Sequence, residues 1–145
     1  METKDKEIIR LLRKGKRENI SAIARELGMP VTTVADKIRK IESRYITKRA
    51  SLLDYSSIGY NSNQFVALKI KGDASRTALL DFLKKQRCVN SIYAVNSDFH
   101  FLVELVFSNH FGFVQWIDEL KRSFQLETVS FHVLKTEEKE RFMPE

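Results

Sequence analysis

Cysteine is almost absent from this 145-residue sequence: the single one is Cys88. One thiol excludes an internal disulfide, and its place near the end of a candidate helix suits an inert, partly buried side chain. Two prolines and five glycines leave little room for long disordered linkers. No apolar run approaches the roughly 20 residues that a bilayer-spanning helix requires. The opening METKDKEIIR has no apolar signal core. These absences suit a cytoplasmic protein without a membrane partner. The three histidines, His100, His110 and His132, fall at no metal-ligand spacing and have no cysteine partners, so no metal is expected. A Gly-rich phosphate loop and a nucleophile elbow are also missing. Neither a cofactor nor a catalytic residue is therefore expected.

What is present is an ordinary folded composition, 43% hydrophobic and 30% charged, with a net charge of +6. The charge is unevenly placed. Residues 1–61 hold 14 Lys and Arg against 8 Asp and Glu, whereas residues 62–145 hold 11 of each. A basic excess confined to one part of a chain is the electrostatic footprint expected of a module that meets a polyanion.

That part contains NISAIARELGMPVTTVADKIRKIESR, residues 19–44. Ile20, Ile23, Ala24 and Leu27 follow helical spacing, as do Val31, Val34, Ile38 and Ile41. Between the two sets stand Gly28 and Pro30. Glycine suits the left-handed residue that ends a helix, and proline prevents the first helix from continuing. Asn19 is a fitting N-cap. The spacing predicts a helix-turn-helix whose small Ala24 lets the helices cross closely. The second helix would then present Thr32, Thr33, Asp36, Lys37, Arg39 and Lys40 to double-stranded DNA. Hydroxyls and cations read base edges or bind phosphates. The same pattern would also serve a helical hairpin with a solvated charged face.

A helix over residues 4–14, with Ile8, Ile9, Leu11 and Leu12 inward and Gly15 at its end, should pack across the back of this pair. Lys14, Lys16 and Arg17 in the next connection are further candidate phosphate contacts. Residues 45–53 read as a short β-ribbon, the wing of a winged helix, with Lys48 and Arg49 near its tip. Residues 54–60 form a hinge. The rest reads β-α-β-β-α-β: strands at 63–71, 89–95, 99–107 and 128–134, and helices at 74–87 and 111–124. In the second helix Phe113, Val114, Ile117 and Leu120 should face inward. The fold class is thus α+β, a winged helix-turn-helix at 1–60 joined to a ferredoxin-like βαββαβ domain at 61–145. The second domain would serve oligomerisation and effector binding.

The strands carry apolar residues on both faces. Phe99, Phe101, Val103, Leu105 and Phe107 alternate with Leu102 and Val106, and Val66, Leu68 and Ile70 with Phe65 and Ala67. Helices cover one face only, so a second copy of the sheet is the expected cover, giving a homodimer. Two tethered reading heads would bind palindromic half-sites about one helical turn apart or more.

With these elements in order the chain resembles the Lrp/AsnC, or feast/famine, family of regulators. The likeness covers essentially the whole chain: the DKEIIRLL opening, the helix-turn-helix ISAIARELGMPVTTVADKIRKIE, the hinge LLDYSSIGY and the βαββαβ order after it. It implies a sequence-specific transcription regulator of bacteria or archaea, dimeric through its sheets and often assembled into octamers. It also implies a small-molecule effector, frequently an amino acid, near the turn between the second and third strands. The family often has Gly-x-aromatic-Asp there, where this chain has Ser97, Asp98, Phe99 and His100. Ser97 makes a positive φ harder, and His100 removes a carboxylate suited to an amino group. Asp36 also departs from the basic or small polar residue of many relatives. Two rivals remain open on sequence: a tetrapyrrole-binding decarboxylase of haem biosynthesis, which resembles the family in outline, and a DNA-organising protein of low specificity.

Overall fold

A computed structural model describes residues 2–15 and 19–144. Contacts divide the chain into two compact units. One runs to Leu52 and takes in the tail from Glu138, and the other spans Leu53–Glu137. Residues 53–60, grouped by sequence with the first domain, thus make their contacts in the second unit, and the tail makes its contacts in the first.

The first unit is built on three helices, α1 (Thr3–Arg13), α2 (Ile20–Leu27) and α3 (Val31–Tyr45). Their inward stripes merge into one core of Ile8, Leu11, Ile23, Ala24, Val34, Ile38 and Ile41. Asn19 caps α2 as expected, its side-chain oxygen accepting from the Ala22 N–H at 2.8 Å. Gly28 adopts φ 62°, and the Met29 N–H returns to the Ala24 carbonyl at 3.0 Å, closing the helix. Val31, read as inward, is exposed because the buried stripe of α3 begins one turn later at Val34. Lys16 and Arg17 lie outside the described residues.

The expected wing is not formed. No strand occurs over residues 46–54, and α3 runs on through Tyr45, where the ribbon was to start. A ribbon needs a second strand and a tight turn, and the segment has no Gly or Asn to make one. Lys48 and Arg49 therefore stand on an irregular segment, with Arg49 paired to Glu42 of α3. The tail is fixed to α1 instead: Arg10 Nε donates to the Pro144 carbonyl at 2.6 Å and Arg13 to the Glu140 carbonyl at 2.6 Å.

The second unit is a four-stranded antiparallel sheet with β1 (Ser62–Ile70), β2 (Val89–Ala94), β3 (Phe101–Phe107) and β4 (Leu126–His132) in the order β2-β3-β1-β4. Helices α4 (Arg76–Lys84) and α5 (His110–Ser123) connect the strands. This is the βαββαβ order expected. Val66, Leu68, Phe101, Val103 and Leu105 point to the helices and meet Leu79, Leu83, Phe113, Ile117 and Leu120. Val114, expected inside, is 38% exposed. Helix α4 is shorter than expected because Ser75 caps it, accepting from the Ala78 N–H at 3.2 Å, and Gln86 turns back onto the Leu83 carbonyl. Cys88 follows that turn, half-buried, and burial pushes its thiol up to about 11. It stays protonated at neutral pH and is inert.

The other sheet face is covered by no element among the described residues. Ala67 of β1 stands between Leu102 of β3 and Val129 of β4, and Phe65 between Glu104 of β3 and Phe131 of β4. Tyr93 and Phe131 remain 51% and 57% exposed. One carboxylate sits within this apolar field. Glu104 is 2% exposed and accepts from Asn90 Nδ2 at 2.6 Å, Ser91 Oγ at 3.1 Å and Asn63 Nδ2 at 3.5 Å. An irregularity between Val89 and Ser91 lets both Asn90 and Ser91 reach it. A carboxyl group can be buried here because these donors replace its water.

Before β1, Asp54 starts a 3-10 turn over Ser56–Ile58. Its carboxylate accepts from the Ser56 and Ser57 hydroxyls at 2.7 and 2.6 Å. The hydroxyl of Ser57, then that of Ser56, holds its pKa down at about 2. A depressed carboxylate stabilises the turn above its unfolded pKa and ceases to do so as pH falls through the folded value. Amide exchange at Ile58, Gly59 and Tyr60, corrected for intrinsic rate, should therefore accelerate between the ordinary carboxylate range and about pH 2. In Asp54→Asn that window should be flat. In the first unit, Ala24→Leu should overpack the crossing of α2 and α3 and destabilise the chain by about 1–3 kcal/mol, read by urea denaturation followed by circular dichroism.

Candidate nucleic-acid interface

Helix α3 buries Val34, Ile38 and Ile41 and so turns a fixed ridge outward. Thr32, Thr33, Asp36, Arg39 and Lys40 all stand exposed on it. Helical spacing continues the ridge through Ser43 and Arg44, which are exposed as well. Those two were missed in the sequence, although Arg44 follows Lys40 by four residues and Lys37 by seven. With Glu2, Asp5, Thr33, Asp36, Lys37, Lys40 and Tyr45 they line one open groove along the helix.

The cations on this surface differ in what they touch. Lys40 and Arg44 have no ion pair among the described residues. Arg39 meets Asp36 at 3.4 Å, an exposed pair one turn apart. Such a pair exchanges easily for another partner. Lys37 is different. Its ammonium lies 2.6 Å from Glu2 Oε2 and 3.0 Å from Asp5 Oδ1, both at the start of α1. The hydrogen bond to Glu2, then that to Asp5, raises its pKa above the ordinary lysine value. Sequence grouped Lys37 with the outward cations because helical spacing alone puts it beside Lys40. It could not reveal that the N-terminus of α1 comes alongside.

The turn between β2 and β3 was the candidate effector site. There Ser97 and Asp98 are exposed, and Phe99 and His100 half-buried. Two of the four side chains, those of Ser97 and His100, have hydrogen-bond partners within the fold. Ser97 Oγ accepts from the Phe99 N–H at 3.1 Å, a serine turn that needs no glycine. His100 Nδ1 accepts from the Ile70 N–H at 3.0 Å, and the backbone N–H of His100 donates to the Leu68 carbonyl at 2.8 Å. The imidazole thus extends the ladder between β1 and β3 past the last paired residue, Phe101. The accepting Nδ1 leaves the proton of the neutral ring on Nε2. Phe99, expected in the strand, is in the turn before it.

No group of three or more His, Cys, Asp or Glu side chains among the described residues is placed to hold a metal ion. No described helix is long and apolar enough to cross a membrane.

No family model matches the sequence. Individual relatives do. An uncharacterised HTH-type transcriptional regulator of Pyrococcus horikoshii is 30% identical over 125 residues, covering 84% of this chain and 74% of that protein. Another, from Pyrococcus abyssi, is 27% identical over 139 residues, covering 95% and 94%. Among solved structures, the feast or famine regulatory protein of M. tuberculosis complexed with L-methionine aligns with a TM-score of 0.88 at 20% identity, over 97% of each chain. AsnC of E. coli aligns with a TM-score of 0.86 at 16% identity, over 99% of each chain. At such identities these structures share the fold. The relative at 30% identity shares more than that: this chain belongs with it among the HTH-type transcriptional regulators, and its helix-turn-helix and βαββαβ unit in sequence give it the fold of the Lrp/AsnC regulators.

Proposed function

We propose that this regulator reads double-stranded DNA with the outward ridge of α3, as a homodimer on palindromic sites. Thr32, Thr33 and Asp36 would face base edges, and Arg39 and Lys40 phosphates, with Arg44 continuing the line. Lys48 and Arg49 would flank the duplex from the segment after α3. The observation that carries this reading is the ridge itself: hydroxyls and cations exposed on the face opposite Val34, Ile38 and Ile41. An Asp at position 36 is suited to accept from a cytosine amino group and repels phosphate. The first unit is the proposed DNA-binding domain. The second is the proposed oligomerisation and effector domain, a role for a protein that works in the cytoplasm.

The uncovered sheet face supports the homodimer. Phe65, Leu102, Tyr93, Val129 and Phe131 form a field of the kind that buries against its own copy. Further assembly to an octamer is a proposal of the same standing. So is a small-molecule effector near Ser97–His100, supported by the L-methionine complex of the mycobacterial neighbour. Here His100 is already engaged in the ladder, so the ligand's polar contacts would have to come from Asp98 and from groups of a second copy.

The primary experiment is recovery of genomic fragments on the purified protein near physiological salt, followed by sequencing. A few enriched fragments sharing a palindrome are expected. Uniform recovery would replace a specific regulator by a DNA-organising protein. On the recovered site, Lys40→Ala should weaken binding and flatten the plot of log K against log salt by about 0.9. Thr33→Ala should change sequence preference with the salt slope intact. Leu102→Asp should lower the mass measured by light scattering to that of one chain. L-Methionine should raise the melting temperature of wild type if the effector resembles that of the neighbour, and an unmoved melting curve would remove that amino acid from consideration.

A further inference from the structure

The acidic groups beside α3 have a role that their own helix does not require. Glu2 stands at the N-cap position of α1 but its side chain makes no capping hydrogen bond. Its carboxylate is 74% exposed and reaches Lys37 instead. Asp5 lies in the first turn of α1, where a carboxylate is favoured by the helix dipole. Nothing in that preference calls for a lysine from another helix. The two carboxylates close on Lys37 from one side of the groove that also holds Thr33, Lys40 and Arg44. Lys37 therefore occupies the DNA-facing helix with its charge already matched.

We propose that Glu2 and Asp5 are specificity-determining residues: by holding the Lys37 ammonium they withhold it from phosphate and so weaken binding to DNA of arbitrary sequence. The inference rests on the reading of α3 as the DNA-facing helix. Sequence-independent affinity comes mostly from counterions released as cations neutralise phosphates. A lysine with two carboxylates releases few. Contacts to base edges from Thr32 and Thr33 do not depend on this charge. The ratio of specific to non-specific affinity, which decides how a regulator finds its site among competing DNA, rises accordingly. The basic excess of the first part of the chain then attracts DNA at long range, while the reading helix keeps one of its cations in check.

The test is equilibrium binding of the full chain to a mixed-sequence duplex across a range of KCl, for wild type, Glu2→Gln/Asp5→Asn, Lys37→Gln, and the three combined. Neutralising both acids should tighten binding several-fold at low salt and steepen the log–log salt slope by about one. In the Lys37→Gln background the same two substitutions should leave the slope unchanged, because the cation they release is gone. An unchanged slope in Glu2→Gln/Asp5→Asn would overturn the inference. Equal steepening with and without Lys37 would also overturn it, since the acids would then act only as bulk negative charge. Should the double variant lose its helical circular dichroism, Glu2→Gln alone decides, because that side chain is exposed and caps nothing. Wild type that binds no duplex at low salt would overturn the DNA reading itself, an outcome distinct from binding with an unaltered slope.

Discussion

The turn at Gly28 is the constraint on which the first unit depends. Its left-handed backbone ends α2, α3 starts three residues after it at Val31, and Pro30 prevents any drift of the first helix into the second. With the direction of α3 set, Ala24 lets the two helices approach, and Val34, Ile38 and Ile41 lock the rotation of α3 about its axis. The outward ridge follows from that rotation. A helix that buries one stripe has no freedom over which residues it shows to solvent, so Thr32, Thr33, Asp36 and Lys40 share a surface because Val34 and Ile38 share a core.

Charge is arranged on two scales. Over the whole of the first part, positive residues prevail, which is sufficient for attraction to DNA at distances within the screening length. At the surface of α3, acids are interleaved: Asp36 beside Arg39, Glu42 beside Arg49, and Glu2 with Asp5 around Lys37. The net positive charge therefore overstates how many cations are available to phosphate. On α3 itself, the cations without an ion pair among the described residues are Lys40 and Arg44, and they line the same groove as Thr33.

The second unit has the complementary problem. A four-stranded sheet has two faces, and the two helices of this fold cover one. The uncovered face keeps large apolar side chains, yet at its centre lies Glu104, buried and held by Asn63, Asn90 and Ser91. Donors from two neighbouring strands fix that carboxylate, so it belongs to the architecture of the face and not to a solvated surface.

Sequence by itself determined the elements and their order. The Gly28–Pro30 corner, the Asn19 cap, the core stripes of α1, α2 and α3 and the alternation in β1 and β3 are local patterns, each written within about ten residues. They carry the helix-turn-helix, the βαββαβ unit and most of the outward ridge. Tertiary structure decided what depends on residues distant in the chain. The wing is absent because a ribbon requires a partner strand, which no local pattern guarantees. Lys37 is held because the start of α1 arrives beside α3, and His100 is a ladder residue because the Ile70 N–H lies across from it. Asn90 is brought to Glu104 by a strand irregularity. Spacing along one element fixes which side chains share a face; only the packing of several elements fixes what each of them touches.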